Sequence, residues 1–361
     1  MSIDVSEIPS FRLKNQQLTE QLYDTPQELL NNMGAMQAQD FNMIRWAVGR
    51  RLKKANEQTV VDALNDGTIL RTHLLRPTWH LVSSDDIYWM LKLTGPRIKT
   101  SLKSRHKSLE IDDKVITMSY RVIEKALVDR ESITRDELVS EFKNAGLKVS
   151  ENRASHLLLV AELDGVICSG DVNGNKMHYS LLSKRVPDRN EPDHNESIAL
   201  LTRKYFFCRA PATLSDFVWW SGLKISDAKK GLEINHEVLR KEIIQGEDYW
   251  VPSSFSSKPD ESGQVILLPS YDEYIIAYKF RDLIIPAESK SRSMSSNGIF
   301  WPVILVNGKV TGTWKRAFKK EHVIVEPVFF RNHTHKEIEL IEQEVEKYSK
   351  FLRMKTLLKI R

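Results

Sequence analysis

Between residues 25 and 36 the apolar side chains Leu29, Leu30, Met33 and Met36 recur at three- and four-residue spacing, the period of one helix face. Thr25-Pro26-Gln27-Glu28 opens that run with a capping hydroxyl, a first-turn proline and an acid, so a helix is expected to start there and to end near Met36. Two further helical patterns follow, at 43–52 (Ile44, Ala47, Val48, Leu52) and 57–64 (Val60, Val61, Leu64), and Asn65-Asp66-Gly67 stops the second. The run 69–82 is β-prone with Pro77 near its middle and reads as two short strands around a turn. Helices followed by a two-stranded hairpin are the outline of a winged helix.

That outline recurs. Residues 113–182 carry helical patterns at 115–128, at 135–144 behind a Thr134/Glu137 capping box, and at 152–163. Asn173-Gly174 then separates two β-prone runs, 166–171 and 176–181, the strongest short hairpin signal. Pro187 to Glu196 is polar and reads as a linker. Residues 197–257 repeat the pattern with helices near 198–208, 216–221 and 226–232. Strands at 239–244 and 249–251 flank the turn 245–248. The last hundred residues differ: strands at 265–268, 301–306, 309–314 and 323–328, Asn307-Gly308 as a tight turn, and one amphipathic helix at 336–358. The expected fold is α+β. It comprises a winged-helix module with a basic helix (1–112), a second module (113–186), a linker with a third module (187–260), and a small β-barrel domain with a closing helix (261–361).

Composition adds limits. Of 361 residues, 41% are hydrophobic and 28% charged, an ordinary globular balance. No apolar run is long enough to span a membrane. Met1–Ser10 carry Asp4 and Glu7 and lack an apolar core, so no secretory leader is expected. Cys168 and Cys208 fall in a strand and a helix and read as structural, and two cysteines suit a reducing compartment. A cytoplasmic, monomeric protein is expected. The net charge of +5 only permits a nucleic-acid partner, so its placement matters more than its size. Two stretches hold cations without acids: Arg45, Arg50, Arg51, Lys53 and Lys54, then Lys92, Arg97, Lys99, Lys103, Arg105 and Lys107. Trp46, Tyr88 and Trp89 interleave with them. With Arg76, the residues Arg45, Arg50, Arg51, Arg97, Lys99, Lys103 and Arg105 are candidate DNA phosphate contacts, the alternative being a solvated helix face.

Gly34-Ala35-Met36-Gln37-Ala38-Gln39-Asp40, together with 71–82 (RTHLLRPTWHLV), resembles the AlkZ-like winged-helix DNA glycosylases. Leu267-Leu268-Pro269-Ser270-Tyr271-Asp272-Glu273-Tyr274, Asn297-Gly298-Ile299-Phe300-Trp301-Pro302 and Gly312-Thr313-Trp314-Lys315-Arg316 are similar to that family too, so the likeness spans nearly the whole chain. It implies tandem winged-helix (helix-turn-helix) modules in an open ring with a C-terminal β-barrel. The family's catalytic Gln-hydrophobic-Gln motif falls on Gln37, Ala38 and Gln39, with alanine as a small middle residue. The resemblance implies excision of cationic N7- or N3-alkylated purines from double-stranded DNA, with interstrand crosslinks among the candidate lesions.

The chemistry is self-consistent. An alkylated purine already carries positive charge and leaves readily. Neutral amides then suffice to hold a water or to lie beside the charge developing on the sugar. No cofactor or metal is called for: His333-x-His335 lacks a partner at ligand spacing, and there is no P-loop or dinucleotide fingerprint. On one continuous helix, Gln37 and Gln39 would point about 200° apart. The motif is therefore expected in an extended segment after the helix. Accessory candidates are Asp40, as a general base or a helix cap, and Trp79 with His80, as lesion contacts or half-buried strand residues. Asp272 and Glu273 are adjacent carboxylates that should diverge, which favours a structural role. The competing readings are a non-enzymatic DNA-binding regulator and a protein-interaction scaffold, since the fold alone serves all three.

Overall fold

Gly34 sets the geometry of everything that follows it. In the computed structural model, which describes residues 3–173, 176–187, 190–255 and 263–360, α1 (Ile8–Asn15) leads to α2 (Pro26–Met33). Thr25 and Glu28 close the expected capping box at the start of α2. Gly34, at φ +76°, ends it three residues sooner than predicted and swings the chain into β1 (Ala35–Gln37). Next come α3 (Phe41–Gly49), α4 (Glu57–Asn65), the hairpin β2 (Ile69–Leu74) and β3 (Thr78–Ser83), and the 22-residue α5 (Ile87–Ser108).

The same order recurs twice. The second unit runs α6 (Asp113–Leu127), β4 (Ile133–Thr134), α7 (Arg135–Asn144), α8 (Arg153–Leu163), β5 (Ile167–Asn173) and β6 (Lys176–Leu181), and α9 (Leu182–Arg185) follows it. The third runs α10 (His194–Arg209), β7 (Ala212–Thr213), α11 (Leu214–Ser221), α12 (Ile225–Ile234), β8 (Leu239–Ile244) and β9 (Glu247–Pro252). Each forms a three-stranded antiparallel sheet in which the short first strand pairs with the last: β1-β3-β2, β4-β6-β5 and β7-β9-β8. The hairpins were legible in sequence, whereas the short strands were not, because two or three residues have no readable alternation. Thr134 with Glu137 and Thr213 with Asp216 cap the helices that leave β4 and β7, and Asp40 caps α3. Residues 174–175 of the expected turn at 172–175, part of the linker at 188–189 and the last junction at 256–262 lie outside the described residues.

The C-terminal region, where a small β-barrel was expected, is a curled half-barrel sheet. Its order is β10 (Val265–Leu268), β11 (Val303–Val306), β12 (Lys309–Phe318), β13 (His322–Phe329), β14 (Lys355–Leu358), and the outer strands do not pair. Short helices α13 (Glu273–Ile276) and α14 (Lys290–Ser293) fill the connection before β11. The closing helix α15 (His335–Leu352) is shorter than predicted. Arg353 adopts a left-handed conformation, ends it, and lets β14 run parallel to β13. Asn307 and Gly308, both at positive φ, make the tight turn their sequence announced.

Burial explains how this sheet meets the rest. The second unit has a core of its own, built on Leu109, Ile123, Leu138, Phe142, Leu157 and Tyr179. The first and third units instead share apolar clusters with the C-terminal sheet. Two indoles fasten β10 in place: Trp46 of α3 donates to the Leu267 carbonyl (3.0 Å) and Trp314 to that of Leu268 (2.8 Å). No described helix is long and apolar enough to cross a membrane.

Candidate active site

Strand β1 (Ala35–Gln37) is extended, the chain bends at Gln39 and Asp40, and the backbone around the motif is tied on several sides. Gln37 is register partner to His80, and the Ala38 N–H donates to the Trp79 carbonyl (2.7 Å). Arg71 of β2 donates Nε to the Ala38 carbonyl (2.9 Å). The Gln37 N–H donates to Glu273 Oε1 (2.7 Å), and Arg209 of α10 donates to the carbonyls of Met33 and Ala35 (2.8 Å each). Glu273 Oε2 in turn accepts from Arg209 (2.7 Å) and from the Trp220 indole (3.0 Å). A buried ion pair joined to the first, third and C-terminal parts of the chain therefore holds the motif strand.

The side chains fall on two faces. Met36 and Ala38 enter an apolar cluster, Ala38 fully buried, which leaves room there for only a small middle residue. Gln37 points the other way and lies in neither apolar cluster. It is 8% exposed, and its Oε1 accepts from Arg76 Nη2 (3.1 Å). That bond distinguishes the oxygen end of the amide from the nitrogen end. Gln39, two residues on, is exposed at the chain bend before α3.

Asp40 serves as the cap of α3. Its Oδ1 accepts from the N–H groups of Asn42 and Met43 (3.1 Å each), and Oδ2 accepts from the Ser270 hydroxyl (2.9 Å). His80 is fully buried beside Gln37. Its Nδ1 lies 2.9 Å from the Thr78 carbonyl, which makes it the protonated nitrogen, and Nε2 has no partner. Burial, and then the positive charge of Arg76, hold the imidazole well below its ordinary pKa, so it is neutral at physiological pH. Trp79 faces the opposite side of β3. It packs against His73 (centroids 4.5 Å apart) under the Arg71 guanidinium (4.3 Å), in a cleft of about 110 Å³ shared with Arg135, His156 and Tyr179 of the second unit. Burial brings Arg71 down to about 10. The structure thus gathers Gln37, His80 and Arg76, and turns Trp79 away from them.

The candidate phosphate contacts divide sharply. Arg51 is fully buried, paired through both terminal nitrogens with Asp272 (2.7 and 2.8 Å), and Arg50 pairs with Glu344 (both bonds 3.1 Å). Arg45 is buried against Glu57 (3.2 Å) and Asn42 (2.6 Å). The expectation that these three face DNA is corrected: each occupies a site where α3 meets another element. Lys99 bonds Asp164. On α5, Arg97, Lys103 and Arg105 are exposed and form no ion pair among the described residues. Asp272 and Glu273 diverge as anticipated, one to Arg51 and the other to Arg209.

Sequence reading missed a second group beside Gln37. The guanidinium carbons of Arg76 and Arg281 each lie 5.4 Å from the Trp219 ring of α11, and Arg281 lies 5.1 Å from Phe300. Tyr271, with φ 56°, packs its ring 6.0 Å from Phe300. The family-like segments 267–274 and 297–302 supply Ser270, Tyr271, Glu273 and Phe300. The remaining signal was the Trp219-Trp220 pair, of which one indole is buried and the other 41% exposed.

The fold is that of a DNA glycosylase of known structure. Streptomyces sahachiroi DNA glycosylase AlkZ matches over 100% of both chains with a TM-score of 0.83, at 18% sequence identity. The chain belongs to the AlkZ-like family, described as "DNA glycosylase AlkZ-like", whose model matches residues 30–351. A curated relative, the interstrand DNA cross-link repair glycosylase of the same organism, is 22% identical over 328 residues, 86% of this chain and 87% of that one. Membership of an enzyme family does not favour the regulator alternative.

Proposed function

We propose that this protein is a monofunctional DNA glycosylase that hydrolyses the bond between deoxyribose and a cationic N7- or N3-alkylated purine in double-stranded DNA. Its three repeated units act as winged-helix modules. The observation that carries the reading is the anchored strand β1, which presents Gln37 with a fixed amide, with Gln39 exposed at the bend just after it. Two residues of chain can separate the Cα atoms of Gln37 and Gln39 by no more than about 7 Å, close enough for one water or one sugar to meet both amides.

In this reading the glycosidic C1′–N bond breaks with its electron pair moving to the purine, which leaves as a neutral base. Water adds to C1′, and its proton passes to solvent. Gln37 and Gln39 hold that water and face the positive charge on the sugar with amide oxygens. Arg76 acts as a positioning residue by selecting the orientation of the Gln37 amide. Asp40 is not needed as a base, because both of its oxygens are engaged by the helix cap and Ser270. Arg97, Lys103 and Arg105 contact the DNA backbone. Interstrand crosslinks through N7 fall within the same chemistry, and the Streptomyces relative is named for that activity.

The test is release of 7-methylguanine from methylated duplex DNA by the wild type and by Gln37→Ala and Gln39→Ala. Loss of release by about a hundredfold or more in each folded variant is the expected result. Release at the wild-type rate from both would overturn the assignment.

A further inference from the structure

Arg76 and Arg281 converge on one exposed indole without a counter-charge. Arg76 gives Nη2 to Gln37, while its Nε is buried with no acceptor. Arg281 gives Nε to the Ile275 carbonyl (2.8 Å) and Nη1 to that of Lys279 (3.4 Å). Neither forms an ion pair among the described residues. The acids that act on them at longer range are already engaged. Glu273 is held by Arg209, and Asp216 accepts from the N–H groups of Thr213 and Lys279 and lies near Arg12. Burial first, then the charge of Arg76, brings Arg281 down to about 10, and burial lowers Arg76 as well. Two desolvated like charges side by side are unfavourable in the free protein, and an anion between them would relieve that strain.

Trp219 defines the anion further. Its ring is 41% exposed and anchored by its Nε1–H, which donates to the Ile276 carbonyl (3.1 Å). A cationic pair at a partly exposed indole fits a group carrying both a negative charge and a stackable ring. A nucleotide of DNA has both. The alkylated nucleotide is already placed at Gln37 and Gln39 in the reading above. The occupant is instead a neighbouring, undamaged nucleotide.

We propose that Arg76, Trp219 and Arg281 clamp one nucleotide of the DNA strand adjoining the lesion, its phosphate between the guanidiniums and its base on the indole. This rests on the glycosylase reading of the same site. Because Arg76 also bonds Gln37, phosphate engagement and amide orientation meet in one side chain. The clamp thereby sets the register of the strand relative to the catalytic motif.

The experiment measures binding of the full chain to a fluorescent duplex containing a tetrahydrofuran abasic site, across a range of salt. In parallel it measures 7-methylguanine release. Trp219→Leu should bind about tenfold more weakly, the scale of one base–aromatic stack. Trp219→Phe keeps an aromatic face but loses the Ile276 bond, and should stay within about threefold of wild type. Arg281→Gln should weaken binding and flatten the salt dependence by about one unit of slope. Wild-type binding by Trp219→Leu and Arg281→Gln overturns the clamp. Equal loss in Trp219→Phe and Trp219→Leu overturns the stacking role and leaves the indole structural. If the wild type binds with this variant pattern but releases no base, the glycosylase reading fails and the clamp stands.

Discussion

The backbone N–H of Gln37 donates to the carboxylate of Glu273 across 236 positions of chain, at 2.7 Å. A short strand of three residues has little intrinsic stability, yet this one must hold an amide in one place. The fold solves this by making the strand's free N–H a charge-assisted donor. The acceptor comes from the C-terminal region and is itself fixed by Arg209 of the third unit. The motif strand is positioned by parts of the protein that are far from it in sequence.

Glu273→Gln should therefore destabilise the protein severely. It leaves the Arg209 charge buried with only neutral partners, the Met33 and Ala35 carbonyls and the Cys208 sulfur, a loss of about 3–5 kcal/mol. Urea unfolding measures it. Arg209→Met in the same chain should recover part of that loss, because it removes the orphaned charge, and strict additivity of the two substitutions would contradict the coupling. Base release by the folded fraction of Glu273→Gln should also fall, since the strand loses an anchor.

Gly222 tests how the third unit is seated on the first. It has φ +69°, and a Cβ there would lie 2.4 Å from the Leu75 carbonyl, next to Arg76. Gly146 has a similar φ of +81° with nothing within 4 Å. Gly146→Ala thus reports backbone strain alone, about 1–2 kcal/mol. Gly222→Ala adds a clash with main chain that has no flexible end to move. The expected outcome is a clearly larger loss of thermal stability for Gly222→Ala. Equal losses would mean the two units separate easily at that contact.

How much of this was written in the sequence differs by element. The capped helices, the Asn-Gly and Gln-Gly turns and the threefold recurrence of helix and hairpin depend on neighbours in the chain, and local patterns reveal them. That the Gln motif leaves the helix before Gln37 was also legible, because i and i+2 amides cannot converge on a helix. The fates of the arginines were not. Arg51 and Arg97 both sit in acid-free basic stretches, and only the fold decides that one meets Asp272 and the other meets solvent. Trp219 and Arg281 were unreadable for the same reason: their meeting with Arg76 depends on contacts between three distant segments.

Acid should weaken the protein in a direction set by His80. Its imidazole is held well below the usual pKa by burial and by Arg76, and burial lowers His106 and His156 too. The unfolded chain protonates these rings near pH 6.5 while the native state does not, so the unfolded state binds more protons. Stability is therefore full above about pH 6.5 and falls as the pH drops toward the native pKa values. Thermal unfolding between pH 7.5 and 5.5 should show this decline, and it should be shallower in His80→Gln, which cannot protonate. An unchanged slope in His80→Gln would show that the ring is not held neutral.

The two basic stretches should separate in function. Replacing Arg97, Lys103 and Arg105 together by alanine removes three exposed charges from α5 and no described ion pair. Folding stability should change by less than about 1 kcal/mol. If these side chains lie along the DNA backbone, affinity for duplex should fall, and the slope of log K against log salt should flatten by up to about 0.9 for each phosphate no longer neutralised. Arg51→Ala should do the reverse. It strands Asp272 in a fully buried site, so unfolding free energy drops by about 3–5 kcal/mol, while the salt slope of the protein that remains folded is unchanged. Filter binding at several salt concentrations, alongside urea melts, checks both halves. A flattened salt slope in Arg51→Ala would place that arginine on the DNA after all, and an unchanged slope in the α5 triple variant would move the DNA path away from that helix.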